Sequence, residues 1–100
     1  MLVGFTTIDD RDAAHRLAET LVSEGLAACA QVGGTPVVSY YRWKGKLETT
    51  PEFVVTLKFS AARASDVEAR LKRLHPYETP QWYVVRPELV SAEYLGWATT

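Results

Sequence analysis

Apolar and β-branched residues crowd positions 2 to 8, where Leu2, Val3, Phe5, Thr6, Thr7 and Ile8 predict a strand. Asp9 and Asp10 follow, and either suits a helix N-cap, where free N–H groups and the positive dipole end favour a carboxylate. Ala14, Leu17, Ala18, Leu21 and Val22 then recur at helical spacing, with Arg11, Arg16, Glu19 and Glu24 on other faces. Gly25 stands where a C′ glycine ends such a helix. The apolar run Leu26 to Val32 fits either the end of that helix or the start of a strand. Gly33-Gly34 and Pro36 then break the chain.

From Val37 to Lys44 the residues are β-branched and aromatic, and a second such run extends from Phe53 to Phe59. In the second run Phe53, Val55, Leu57 and Phe59 share one face, and Val54, Thr56 and Lys58 the other. Gly45 interrupts and Pro51 precedes the second strand, which predicts a long hairpin with its tip near Lys46 to Thr50. Ser60 is placed to cap a second helix with an apolar stripe of Val67, Leu71 and Leu74. His75-Pro76 ends it, because a residue before proline is pushed out of the helical region. A further strand, Trp82 to Arg86, follows Pro80, and Ser91 to Trp97 reads as a short helix carrying Tyr94, Leu95 and Trp97.

The order β-α-β-β-α-β plus a tail predicts a ferredoxin-like α+β fold, an antiparallel sheet with both helices on one face. The other face is then bare. Tyr40, Trp43, Trp82 and Tyr83 on such a face make an apolar patch of the kind that marks an interface, so the chain is expected to work as an oligomer.

Composition narrows the function. One hundred residues fit one domain, 1–100, with 47% apolar and 23% charged residues. A net charge of −1 with interspersed acids and bases offers no positive stripe for phosphate contacts, so no nucleic-acid partner is expected. The single cysteine, Cys29, cannot form an internal disulfide. No signal-peptide pattern or bilayer-length apolar run is present, so no membrane partner and a cytoplasmic location are expected. Phosphate-loop, nucleophile-elbow, His-Glu-x-x-His and CxxC motifs are missing, and the chain is expected not to be an enzyme.

Four blocks occur together: Leu26-Ala27-Ala28-Cys29-Ala30, the run Ser39-Tyr40-Tyr41-Arg42-Trp43-Lys44-Gly45-Lys46-Leu47-Glu48, then His75-Pro76-Tyr77-Glu78-Thr79-Pro80, and Tyr94-Leu95-x-Trp97. In order and spacing they resemble the CutA divalent-cation-tolerance family. The resemblance implies a homotrimer of ferredoxin-like subunits, with hairpin strands of one subunit extending the sheet of the next. It also implies a non-enzymatic role in tolerance of copper or other divalent cations bound between subunits. The alternative it leaves open is a PII-like trimer that senses a small anionic ligand. Family members with a copper site resemble one another in a cysteine late in the first strand and a His-His pair before Pro-Tyr. Here Thr6 and Leu74-His75 stand at those places, so His75 is the one ligand position retained.

Each candidate residue has a chemical and a structural reading. His75 is either a metal ligand or a helix-terminal histidine bonded to the last carbonyls. Cys29, among alanines and Leu26, reads as a small buried hydrophobe. Lys58, in a mostly apolar strand, calls for an anion or for Glu48, Glu52 or Glu78 as partner, unless it is an exposed edge lysine. Tyr40, Trp43, Lys58, Tyr77 and Glu78 are the expected ligand cleft, and Tyr41, Trp43, Trp82 and Trp97 the expected trimer interface.

Overall fold

The first strand, β1 (Leu2–Ile8), runs as expected, its even-numbered side chains turned into the core. The computed structural model describes residues 1–100. Asp10 caps α1 (Arg11–Ser23), its Oδ2 accepting a 2.9 Å hydrogen bond from the Ala13 N–H. At the other end Gly25 takes φ +74°, the Leu26 N–H donates to Leu21 O and the Gly25 N–H to Val22 O. That is a Schellman stop, which a residue with a Cβ would strain. A cap is worth roughly 1 kcal/mol. Full burial of one side chain such as Leu21 contributes roughly 1.5–3 kcal/mol, so the stripe of Ala14, Leu17, Ala18 and Leu21 does most to hold α1 in place.

The ambiguous run after α1 resolves into β2 (Cys29–Val32), followed by β3 (Val37–Trp43) and β4 (Lys46–Phe59). β4 differs from the sequence expectation, since it runs unbroken through Pro51. Between Lys46 and Glu52 it pairs only with β3, and from Phe53 onward with β1 and β2, so a missing N–H at Pro51 falls where one edge is free. The hairpin tip is accordingly at Lys44-Gly45, not at Lys46 to Thr50. Both tip residues have positive φ, 52° and 79°, the two-residue turn whose twist matches antiparallel strands. Between the pairs Val32–Val55 and Val37–Glu52, the four residues Gly33 to Pro36 oppose only Phe53 and Val54. This insertion bends β2 away from β3, and the Gly33 N–H holds it by donating to Val54 O at 2.9 Å.

After β4, Ala61–Arg63 form a 3₁₀ turn leading into α2 (Ala64–Leu74). Ser60 precedes that turn, and its hydroxyl makes no capping bond, contrary to expectation. The final elements are β5 (Tyr83–Val85), shorter than expected, and α3 (Ala92–Ala98), capped by Ser91.

The antiparallel sheet has the order β2-β4-β1-β5, with β3 paired along the outer half of β4. Helix α1 packs on β1, β2 and β4 and against α2. The core between helices and sheet contains Ile8, Leu17, Leu21, Leu57, Phe59, Val67 and Leu71. A bidentate Arg70–Glu24 pair, with N–O distances of 2.9 and 2.8 Å, ties α2 to the end of α1. The β3–β4 hairpin projects past the helices and gives the molecule its 45 Å long axis. At the far edge, the ladder of β5 is with β1 alone.

Candidate functional site

The site forms where the hairpin leaves the sandwich and the segment after α2 turns back over β1. His75 ends α2 with its N–H donating to Leu71 O, then adopts extended backbone (ψ 134°) ahead of Pro76. Its ring is 6% exposed. Nε2 is 3.0 Å from Thr7 O, and Nδ1 accepts the Tyr77 N–H at 3.1 Å. A carbonyl can only accept, so Nε2 carries the proton and the ring is a neutral imidazole with both nitrogens engaged. Burial pushes its pKa below the ordinary 6.5, against the opposing pull of the Thr7 carbonyl and the Glu52 and Asp9 carboxylates.

The turn at His75 brings Tyr77 over β4, where its hydroxyl donates to Glu52 Oε2 at 2.7 Å. Burial first, and the Glu52 bond and charge second, raise the Tyr77 pKa far above its usual value, so it stays a protonated donor. Glu52 is 6% exposed, yet no Lys, Arg or His pairs with it: the salt bridges are Arg70–Glu24 and Lys72–Glu68. Its second oxygen has no hydrogen-bond partner and is still reached from outside.

That oxygen belongs to the wall of a cleft of about 660 Å³. One wall is the hairpin, where Ser39, Tyr41 and Trp43 of β3 share a face with Thr50 and Glu52 of β4. Tyr41 is pinned there by a 2.9 Å hydrogen bond to Thr50 Oγ1. The facing wall is Tyr77 to Gln81, and Thr7 and Asp9 close one end. Three carboxylates, Asp9, Glu52 and Glu78, line the cleft, and no Lys or Arg does. The Lys44 ammonium lies at the hairpin tip, 6.0 Å from the centre of the Trp43 ring.

Of the expected cleft residues, Trp43, Tyr77 and Glu78 come together here. Tyr40 borders the cleft from a strand position whose side chain leaves toward the opposite face, and it is 71% exposed. Lys58 is elsewhere. It sits six residues from Glu52 along β4, roughly 20 Å away, with its Nζ 5.3 Å from the Tyr94 ring and no carboxylate in ion-pair reach. It therefore joins neither the cleft nor the three glutamates proposed for it. Sequence alone offers Glu52 only as a partner for Lys58, and Asp9 only as a cap. Reading β4 through Pro51 would have shown Glu52 as an acid inside a strand.

Trp82, expected at the interface, packs with part of its ring against the subunit's own core and stacks on Phe59, ring centres 6.2 Å apart. Gly4 makes room for it, since a Cβ at that position would collide with the indole. Tyr41, Trp43 and Trp97 remain exposed. Cys29 faces outward beside Lys58 and is only partly buried.

The copper-ligand positions do not fit a metal ion within one chain. The Thr6 hydroxyl is sealed in the core without a partner, Leu74 packs on that core, and both His75 nitrogens are taken. No three His, Cys, Asp or Glu side chains converge on a metal-sized point.

Fold and cleft together define a ferredoxin-like α+β protein with an acidic, aromatic-walled cleft beside its projecting hairpin. The family model described as CutA1 divalent ion tolerance protein matches residues 2–100. The divalent-cation tolerance protein CutA of Pyrococcus horikoshii is 32% identical over 97 residues, covering 97% of this chain and 93% of its own. That of Escherichia coli is 36% identical over 98 residues, covering 96% and 85%. The crystal structure of CutA from Xylella fastidiosa superposes with a TM-score of 0.92 at 37% identity, covering 97% of this chain and 92% of that one. The chain belongs to the CutA1 divalent-ion-tolerance family.

Proposed function

We propose that this protein is a non-enzymatic, trimeric member of the divalent-cation-tolerance family that receives a cation in the cleft beside its hairpin. The observation that carries the reading is the sign of the cleft: Asp9, Glu52 and Glu78 line it without a basic residue. Tyr77 bonds one oxygen of Glu52, and the other is open to solvent on the cleft side without a protein partner, so it is free to meet a cation. The same wall disfavours the small anion of a PII-like sensor. A binding role also agrees with Tyr77 and His75, since Tyr77 is held away from ionisation and both ring nitrogens of His75 are spent on hydrogen bonds.

The trimer is supported by the exposed Tyr41, Trp43 and Trp97 and by the free edge of β5. A divalent ion such as copper would draw on carboxylates of the cleft, completed by a neighbouring copy, rather than on His75. No helix is long and apolar enough to cross a membrane. A cytoplasmic location stays part of the proposal, although the Archaeoglobus fulgidus structure is described as periplasmic.

Calorimetric titration of the metal-free protein with copper ion tests the site. Binding is expected to weaken in Glu52→Gln and to persist in His75→Gln. Loss in His75→Gln with Glu52→Gln unaffected would overturn the assignment.

A further inference from the structure

A buried imidazole stands between the sheet and the wall of the cleft. Its Nε2–H donates to Thr7 O at 3.0 Å, and its Nδ1 accepts the N–H of Tyr77, two residues on, at 3.1 Å. The same Tyr77 donates its hydroxyl to Glu52 Oε2 at 2.7 Å, and its ring stands edge-on to the imidazole with centres 4.7 Å apart. One residue therefore links the imidazole to the carboxylate: its amide is held by His75, and its hydroxyl holds Glu52. Residues 76–82 lie between α2 and β5 outside any helix or strand, so these two bonds do much to seat that wall.

Nε2 already carries a hydrogen, so a second proton can enter the ring only at Nδ1. There it removes the lone pair that accepts the Tyr77 N–H and sets two N–H dipoles against each other. Thr7, the acceptor on the other side, is fixed in the β1–β4 ladder opposite Val54, so Tyr77 is the partner that gives way. Charge acts in the same direction. The carboxylates that bear on the ring are Asp9, at the end of β1, and Glu52, on β4, while α1 and α2 bring no charge to it. The Tyr77 hydroxyl stays protonated throughout. An imidazolium at this place offsets the negative charge that draws a cation into the cleft. Burial opposes the proton, so the neutral, closed arrangement is the resting one at neutral pH.

We infer that His75 is an acid-operated latch on the cation cleft: a proton at Nδ1 releases the Tyr77 amide, loosens the tyrosine from Glu52 and lowers the affinity of the cleft for its cation. The inference rests on the cleft being the cation site and adds how that site is regulated. By linkage the effect is reciprocal, and a bound cation makes the ring harder to protonate.

The test is an NMR pH titration of the intact protein with and without zinc ion, following the His75 ring nitrogens and the Glu52 and Tyr77 backbone resonances. His75→Gln is the control, since the glutamine amide offers one donor and one acceptor as the neutral imidazole does but takes up no proton. At neutral pH the parent and His75→Gln are expected to bind zinc equally. One pH unit below the midpoint of the ring, the parent is expected to bind about tenfold more weakly than His75→Gln. In the parent alone, the Tyr77 amide is expected to lose its protection from hydrogen exchange as the ring protonates, while the Val55 amide in the core keeps its own. Saturating zinc is expected to lower the ring midpoint by about one unit. These last two measurements decide the matter if His75→Gln does not fold. A Tyr77 amide that stays protected while the ring titrates, a midpoint unmoved by zinc, or parallel loss of zinc in parent and control overturns the latch and leaves the cation site standing. Absence of zinc binding to the parent at neutral pH overturns both.

Discussion

The Tyr77 hydroxyl reaches Glu52 Oε2 at 2.7 Å, joining the segment after α2 to the middle of β4. The bond fixes one oxygen of a buried carboxylate and orients the tyrosine ring as a wall of the cleft. His75 stands behind this pair, edge-on to Tyr77 with ring centres 4.7 Å apart, as the post on which the segment turns.

Thr6 is a buried hydroxyl without a partner, facing the core from β1. Thr6→Val keeps the branched shape and removes the unpaired polar atom. The variant is expected to be more stable by about 1 kcal/mol, read from the midpoint of denaturant unfolding. A loss of similar size would mean that the hydroxyl has work that the core geometry does not show.

His75 makes stability depend on pH. Its folded pKa is lowered, so below about 6.5 the unfolded chain binds the proton more readily than the folded one. Stability is therefore complete above that pH and falls as the pH drops toward the folded pKa. Unfolding curves of the parent and His75→Gln across this range are expected to converge on acidification, because glutamine does not titrate. Parallel curves would contradict the assignment of a neutral, buried ring.

Gly4→Ala places a methyl group against the Trp82 indole, and overpacking of this kind costs about 1–3 kcal/mol. Trp82→Leu in the same chain should recover part of the loss, because the clashing ring is gone. Simple additivity of the two changes would show that the tryptophan does not pack on β1 as described.

Light scattering at micromolar concentration is expected to give three times the 11.2 kDa chain mass. Trp43→Ala is expected to raise the concentration at which the assembly dissociates, consistent with a cost of about 2 kcal/mol or more for a central aromatic anchor. A monomer at all concentrations would remove the trimer from the account.

Much of the fold was legible because it depends on local signals that agree with one another. Asp10, the helical stripe ending at Leu21 and the stop at Gly25 specify α1, and the strand order follows from the alternation of apolar runs. The hairpin tip is not legible in sequence because Pro51 normally ends a strand, and only the pairing shows that its half of β4 has a free edge. The Lys44-Gly45 turn is hidden for a related reason: it requires positive φ at a lysine, which residue type does not advertise. The seat of Trp82 is hidden too, because the space that receives it is made by the absence of a side chain at Gly4, nearly eighty residues away. The cleft was half legible. Trp43, Tyr77 and Glu78 stood out by type, while Glu52 and Asp9 become site residues only when the segment after α2 folds over them. Lys58 stood out for the same reason as Trp43, but the register places it at the far end of the strand.

The account depends most on the cleft being selective for positive charge. The direct measurement is one NMR sample divided in two, one part titrated with zinc ion and the other with acetate, reading the Glu52 and Tyr77 backbone resonances. The account predicts a saturable shift of both with the cation and none with the anion. Saturable shifts with acetate and none with zinc ion would contradict it.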